Sequence, residues 1–115
     1  MASTFKNAGL TLTSLDHTSS DIYTCPAGAQ AVIHALFITN HSETINANVD
    51  VKCTIDGGTT FKHITKNINV PQENTLTIDK PINMAAGDRL RLIVRENQDS
   101  TIPQIEAFAS ILEVT

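Results

Sequence analysis

Apolar and polar residues alternate with a period of two along most of this chain. In "NVDVKCTI" the apolar residues Val49, Val51, Cys53 and Ile55 fall on one face, with polar residues between them. The segment "RLRLIVRE" repeats the pattern with leucine, leucine and valine set between arginines. Such alternation is typical of half-buried β-strands. The pattern predicts eight strands, at residues 4–13, 21–25, 30–40, 46–55, 59–67, 74–80, 88–96 and 104–114.

Turn signals separate these predicted strands, roughly every ten residues. Asp56, Gly57 and Gly58 predict a hairpin between "VKCTI" and "TTFKHI", because glycine tolerates positive φ. Helix signals are weak, since "ETINANVDV" and "PINMAAGD" could each hold no more than one turn. Short alternating strands with frequent turns predict an all-β fold, an antiparallel two-sheet sandwich of jelly-roll or immunoglobulin-like type. We expect a single domain over residues 1–115.

The N-terminal residues 1–9 have two interpretations. They precede the first clear apolar run, so they could form an arm outside the core. Phe5, however, is a large apolar side chain whose burial would favour the first strand. Both alternatives stay open at the level of sequence.

The segment "TCPAGAQAVIHALFITN" combines a cysteine, a sharp turn and a histidine within an apolar run. Cys25 and His34 could form a reactive pair only if a base lay beside the thiol and stabilised its thiolate. Alternation instead places His34 on one strand face with Val32, Leu36 and Ile38, as a core or interface residue. Because Pro26 and Gly28 suffice to turn the chain, we interpret the segment as a turn that leads into a buried strand.

Composition narrows the class of protein. The formal net charge is −4, and the eight basic residues are scattered, so we expect no nucleic-acid partner. The N-terminus lacks the apolar stretch of an export signal and no segment resembles a membrane span, so we expect synthesis in a cytoplasm and no membrane. In a reducing compartment Cys25 and Cys53 are expected to be free thiols.

Catalytic and metal-binding patterns are weak. His17, His41 and His63 have unlike spacings without a CxxC or HxxxH motif, so we expect no metal ion and no cofactor. Asp16 and His17 are residue types that occur in catalytic triads, but neighbouring positions in the sequence do not establish the geometry of a triad. We therefore predict that the protein is not an enzyme. The alternative is a ligand-binding or hydrolytic sandwich, in which His17 and His41 would share one end of the fold.

Surface patterns point instead to an assembly protein. "ALFITN" and "AFASILEV" are apolar on both strand faces, and a domain of this size cannot bury both faces of two strands. The arginines of "RLRLIVRE" have two interpretations, a contact with an acidic partner or a solvated sheet face protected against edge pairing. The predicted interface candidates are Phe5, Leu10, Leu12, Phe37, Arg89, Arg91, Arg95, Phe108 and Leu112.

Several segments resemble small virion structural proteins of tailed bacteriophages, particularly phages that infect marine bacteria. They are "LDHTSSDIYTCPAGAQAVIHALFITN", "VDVKCTIDGGTTFKHITKNINVP", "TLTIDKPINMAAGDRLRLIV" and "AFASILEVT". The resemblance runs from about Leu12 to Thr115, and its motifs mark turns and core strands rather than a catalytic centre. The segment "HSETINANVDV" is longer than the short turn expected at this place.

The resemblance implies a non-enzymatic protein located in the virion and made in the host bacterial cytoplasm. It favours a capsid decoration or cement protein that binds neighbouring capsid subunits. The implied partners are the major capsid protein or other virion proteins, together with further copies of the chain in a homo-oligomer. The alternative within the same class is a neck, tail or fibre-attachment component.

Overall fold

The computed structural model describes residues 2–12, 18–95 and 104–115, and all regular structure within them is β-strand. The all-β prediction is therefore confirmed. Nine strands are present in the described residues: β1 (Ser3–Leu12), β2 (Thr18–Thr24), β3 (Gln30–Asn40), β4 (Ala47–Thr54), β5 (Phe61–Val70), β6 (Asn74–Ile78), β7 (Ile82–Met84), β8 (Arg89–Arg95) and β9 (Ile105–Val114).

The strands form two antiparallel sheets, which confirms the predicted two-sheet sandwich. One sheet, here called the β1 sheet, has the order β1-β9-β3-β6, and β7 pairs with β3 beside β6. The other, the β2 sheet, has the order β2-β8-β4-β5. If the three-residue β7 is set aside, the remaining eight strands follow the interleaved order of a jelly roll rather than that of an immunoglobulin domain.

The core lies between the two sheets and is built from alternate residues of the long strands. In β8 the even residues are buried and the arginines between them are only partly buried, so the alternation predicted there is confirmed. β9 shows the same alternation over ten residues. The large apolar side chains that are at most 1% exposed are Ile33, Leu36, Ile38, Val49, Val51, Val70, Leu90, Leu92, Ile105 and Ile111.

The face predicted for His34 is wrong, because β3 contains a bulge. Ile33 pairs with Ile111 and Ala35 pairs with Ser110, which leaves His34 as an extra residue. An extra residue shifts the alternation by one position. Ala31 and Ile33 therefore face the core before the bulge, whereas Leu36 and Ile38 face it afterwards. His34 is exposed on the outer side of the sheet.

Several predicted strand bounds also differ from the structure by one to three residues. Ile55 is 66% exposed, because β4 ends at Thr54 and the hairpin turn begins there. "PINM" contains the short strand β7 instead of a helical turn, and β5 extends to Val70. Of the two alternatives for the N-terminus, the structure has the strand, since Ser3–Leu12 pairs with β9 along its whole length.

One end of the sandwich is organised around the buried Asp88. Its carboxylate accepts hydrogen bonds from the Thr54 hydroxyl at 2.9 Å, the Gly57 N–H at 2.8 Å and the Ala85 N–H at 2.9 Å. Burial raises the pKa of the Asp88 carboxyl, but these bonds favour the charged form more strongly, so the pKa lies below its ordinary value. Asp88 thereby ties the β4–β5 hairpin to the turn before β8. Gly57 and Gly87 face one another there, both at φ +84°.

The long loop after β3 is held by the buried Asn40. Its side-chain amide donates to the carbonyls of Ile45 at 2.7 Å and Val70 at 3.0 Å, and its oxygen accepts from the Ser42 N–H at 3.0 Å. This network explains how "HSETINANVDV" leaves one sheet and enters the other without a helical turn.

Candidate interaction surface

The outer face of the β1 sheet carries an unusual number of solvent-accessible apolar side chains. Phe5 is 79% exposed and Phe108 is 47% exposed, and the other apolar side chains of this face are partly buried. Single exposed apolar residues are common on proteins, but a contiguous set on one sheet face marks an interaction site. We call this surface the aromatic face and define it by Phe5, Val32, Phe37, Phe108 and Leu112.

The strand register arranges these side chains in two rows across the sheet. The first row runs from Phe5 on β1 through Leu112 on β9 to Val32 on β3. The second runs from Gly9 through Phe108 to Phe37. Neighbours of this kind are close enough for direct side-chain contact.

Ring contacts link the rows to their surroundings. The Phe37 and Phe108 rings have centroids 6.4 Å apart and planes inclined at 47°, within the range of favourable aromatic pairs. The ring of Phe5 contacts the bulged His34, with centroids 6.2 Å apart. Two of the four phenylalanines of the chain thus stay largely open to water while held in fixed positions.

Charge is sparse on the aromatic face. The positions between its apolar residues are filled mainly by serine, threonine, asparagine and glycine. Glu106 lies in the row next to Phe108, and its carboxylate is 3.3 Å from Nε2 of His41. When another protein covers such a surface, few charged groups are removed from water, so the free-energy cost of desolvation is small.

Two predicted interface candidates lie inside the sandwich instead. Leu12 is 6% exposed and belongs to the core, and Leu10 packs against that core. Both lie at even positions of β1, whose side chains face inward, whereas the odd positions face outward with Phe5. The sequence alone did not separate the two faces of this strand.

The three arginines predicted as candidates form ion pairs within the chain. Asp21 accepts hydrogen bonds from Arg89 at 2.7 Å and Arg91 at 2.8 Å. Burial raises the pKa of the Asp21 carboxyl, but the two guanidinium groups outweigh it and hold the pKa below its ordinary value. The Arg91 guanidinium also lies 4.3 Å from the centroid of the Phe61 ring. These contacts favour a structural role for this pair of arginines.

Arg95 is paired with a more deeply buried carboxylate. Its guanidinium donates to Asp50 at 2.8 Å, and the Asp50 side chain is 4% exposed. The backbone N–H of Asn67 donates to the same carboxylate, and the ring of His63 lies 3.9 Å away. Burial raises the pKa of the Asp50 carboxyl. The hydrogen bonds from Arg95 and Asn67 and the positive charge of Arg95 lower it by a larger amount, so the pKa lies below its ordinary value.

The structure separates Cys25 from His34. Cys25 is 1% exposed and its Sγ contacts the Ala29 carbonyl at 3.5 Å, whereas His34 lies on the outer face of the β1 sheet. Burial raises the pKa of the Cys25 thiol, and it raises the pKa of Cys53 to about 11. Both cysteines are free thiols, as expected, and a protonated buried thiol is a poor nucleophile. The turn interpretation of this segment is therefore confirmed.

The histidine-based alternative gains no support from the described ranges. His17 and Asp16 lie outside them, and His41 is engaged with Glu106. Within the residues described, no three His, Cys, Asp or Glu side chains come together as a metal site. A cleft of about 490 Å³ lies between β3, β7 and the β4–β5 hairpin, and its only ionisable lining residue is Asp88. In the described part of the chain, no helix is long and apolar enough to cross a membrane.

Comparisons with known proteins place the fold among chains of virus structures. No family model and no curated protein sequence matches the chain. A chain in the acidic stable capsid structure of Helicobacter pylori bacteriophage KHP30 superposes with a TM-score of 0.55 and 12% identity, covering 96% of this chain and 93% of that one. A chain in the structure of infectious bursal disease virus Gx strain gives a TM-score of 0.56 and 9% identity.

The two likenesses differ in extent. The aligned part covers 94% of this chain but 32% of the bursal disease virus chain, so this chain spans about a third of that protein's length. The bacteriophage capsid chain is instead matched over nearly its whole length. At these identities the comparisons show a shared sandwich fold.

Proposed function

We propose that this protein is a non-enzymatic structural protein of a bacteriophage particle, and that it serves on the head as a capsid decoration or cement protein. The observation that carries the proposal is the aromatic face, where Phe5 and Phe108 are held in water on a sheet surface of little charge. The fold shared with a chain of a bacteriophage capsid, at nearly equal length, supports it. So does the resemblance of the turn and strand motifs to structural proteins of tailed phages.

The proposed partners are the major capsid protein or other virion proteins, and they cover the aromatic face. Ten-residue strands are about 33 Å long, and four of them are roughly 19 Å wide, which gives roughly 600 Å² per copy. That area lies slightly below the roughly 800 Å² per partner of a standard stable interface. A modest single contact suits a protein repeated over a regular shell, because copies linked to one another gain avidity.

The location of the protein in purified particles tests this proposal. Cryo-electron microscopy of the virion is expected to show its density repeated over the capsid, with the β1 sheet turned toward the shell. Density confined to the neck, tail or fibres would keep a virion structural role and overturn the decoration role. Absence of the chain from the particle would overturn both.

A binding assay tests the surface itself. Particles made without the protein are incubated with purified wild-type chain, Phe108→Ser or Ile55→Ser. Phe108→Ser is expected to bind about tenfold more weakly, as when a central aromatic anchor is lost. Ile55→Ser removes an apolar side chain that is more exposed than Phe108, at the β4–β5 hairpin of the other sheet, and is expected to bind like the wild type. Equal binding by both variants would contradict the assignment of this face.

A further inference from the structure

Among the described strands, β1 is one of the two edges of the β1 sheet. Ala2 and Thr115 exchange two backbone hydrogen bonds, at 3.0 and 2.8 Å, and the ladder from Ser3 to Leu12 continues without a register shift. In an antiparallel ladder the residues bonded to the neighbour alternate with residues that point away. The even residues of β1 therefore bond to β9, and the odd ones direct their N–H and C=O groups to the open edge. The outward residues are Ser3, Phe5, Asn7, Gly9 and Thr11.

The other edges of the described sheets are protected against pairing, and β1 is not. β5 carries Lys62 and Lys66, two register shifts and the positive φ of Asn67. β6 and β7 have only five and three residues, and β2 is interrupted by a register shift between Asp21 and Tyr23. The sole charged residue of β1 is Lys6, whose ammonium is bound to Glu113 at 3.0 Å. A regular ten-residue edge without such protection is a template for another strand.

Gly9 indicates what kind of strand the edge accepts. Glycine weakens a strand and commonly marks a close approach of something else. No positive φ occurs at Gly9, and a Cβ built there would meet only the Ala107 carbonyl, at an ordinary 3.6 Å. The fold of the single chain therefore does not require glycine at this position.

We propose that β1 pairs antiparallel with β1 of a second copy of this chain, about a two-fold axis at Asn7. In this register Ser3 lies opposite Thr11 of the other copy, and Phe5 lies opposite Gly9. The five outward residues then form five bonded pairs of two hydrogen bonds each, about ten in all. The inference concerns the isolated chain and does not depend on a location in the virion.

The side chains fit this pairing. The exposed ring of Phe5 would cover the bare backbone of Gly9 in the other copy and extend toward Phe108, an aromatic–glycine pairing that compensates for a glycine in a strand. Every outward pair is uncharged, so two chains of net charge −4 meet without opposing like charges along the edge. A second copy is thus a better occupant than a charged partner strand.

The dimer would have one continuous sheet of ten strands, five from each copy. A two-fold axis perpendicular to the sheet keeps the outer faces on the same side, so the two aromatic faces would merge into one surface. This arrangement doubles the area that the proposed decoration role presents to a shell and gives each dimer two points of attachment.

Sedimentation equilibrium of the purified chain tests the pairing. The wild type is expected to behave as a dimer at tens of micromolar concentration and to dissociate on dilution. Asn7→Pro removes an N–H that the β1–β9 ladder does not use, and it is expected to be a folded monomer. Asn7→Ala keeps that N–H and is expected to remain dimeric. Gly9→Val, which suits a strand, is expected to weaken the dimer at least tenfold without loss of thermal stability.

Cysteine cross-linking tests the register and stands even if Asn7→Pro fails to fold. Opposed bonded residues have Cα atoms about 5.5 Å apart, which a disulfide can span. Asn7→Cys is expected to give a covalent dimer under mild oxidation. Thr11→Cys, displaced from its counterpart by eight residues or about 27 Å, is expected to stay monomeric on denaturing gels. A monomeric wild type, or equal cross-linking by both variants, would overturn the proposal.

Discussion

Asp88 shows how a single carboxylate can hold two turns together. Asp88→Ala removes the acceptor for the Gly57 and Ala85 N–H groups and for the Thr54 hydroxyl. The free energy of unfolding is expected to fall by about 3 kcal/mol, because the buried Thr54 hydroxyl and two partly buried N–H groups lose their acceptor. Urea denaturation measures it. Asp56→Ala, which removes an exposed acceptor for Thr59 and Thr60, is the control and is expected to lower the stability much less.

Gly87 and Gly28 form a matched pair of positive-φ glycines. A Cβ at Gly87 would lie 2.8 Å from the Gly57 carbonyl oxygen, whereas a Cβ at Gly28 would meet nothing within 4 Å. Gly28→Ala is expected to cost about 1 kcal/mol from backbone strain alone. Gly87→Ala adds a backbone clash and is expected to cost at least about 3 kcal/mol. Equal losses of stability in urea denaturation would show that the turns at Gly57 and Gly87 do not pack against each other as described.

At the scale of strands, the Arg95–Asp50 pair joins β8 to β4. Arg95→Met leaves Asp50 buried with only its Asn67 and His63 contacts, and the free energy of unfolding at pH 7 is expected to fall because the carboxylate loses its charged partner. Thermal unfolding of both proteins between pH 3 and pH 7 measures this difference. Lys66→Met removes an exposed positive charge from the same sheet and is expected to change stability little at any pH.

The pH dependence of that variant follows from the Asp50 pKa. In the wild type this pKa is lowered, so its contribution is present above the unfolded value of about 3.9 and is lost as pH falls through the folded value. Without Arg95, burial is the largest effect on the Asp50 carboxyl, and it raises the pKa of Asp50 in the folded protein above the value in the unfolded protein. The stability difference between the two proteins is therefore expected to shrink as pH falls. A difference that stays constant would mean that Asp50 is not buried with Arg95.

The alternation of apolar and polar residues predicted the strands whose pairing is regular. Where the pairing is irregular, it assigned residues to the wrong face. β8 could be predicted from its sequence because one face is core and the ladder has no shift beside β4. His34 was placed on the wrong face because the bulge depends on how β3 meets β9, and no local residue pattern marks it. β7 was missed because its three residues are too few to show a period.

The aromatic face was predictable only in part. Apolar residues on both faces of a strand are visible in sequence, so Phe37, Phe108 and Leu112 were predicted as interface candidates, and they lie on this face. The pairing of Arg89 and Arg91 with Asp21 was not predictable, since the arginines are 68 and 70 residues from Asp21 and meet it through the strand order. Alternation also left open which face of β1 is the outer one.

At the scale of the molecule, β1 completes the sheet next to the last strand of the chain. A protein lacking residues 1–9 loses most of the β1–β9 ladder and the Lys6–Glu113 ion pair. Its thermal midpoint is expected to fall by more than about 10 °C, because β9 becomes an edge with apolar residues on both faces. Differential scanning calorimetry measures the change. An unchanged midpoint would mean that these residues act as a dispensable arm.

The hydrogen bonds between Ala2 and Thr115 also set the mechanical behaviour of the molecule. Because the two ends lie side by side, a force that pulls them apart loads the β1–β9 bonds one pair at a time, as in opening a zipper. A force along the strands would instead load the whole ladder at once. Pulling on Ala2 and Thr115 is therefore expected to open the ladder at a lower force than pulling along the strands.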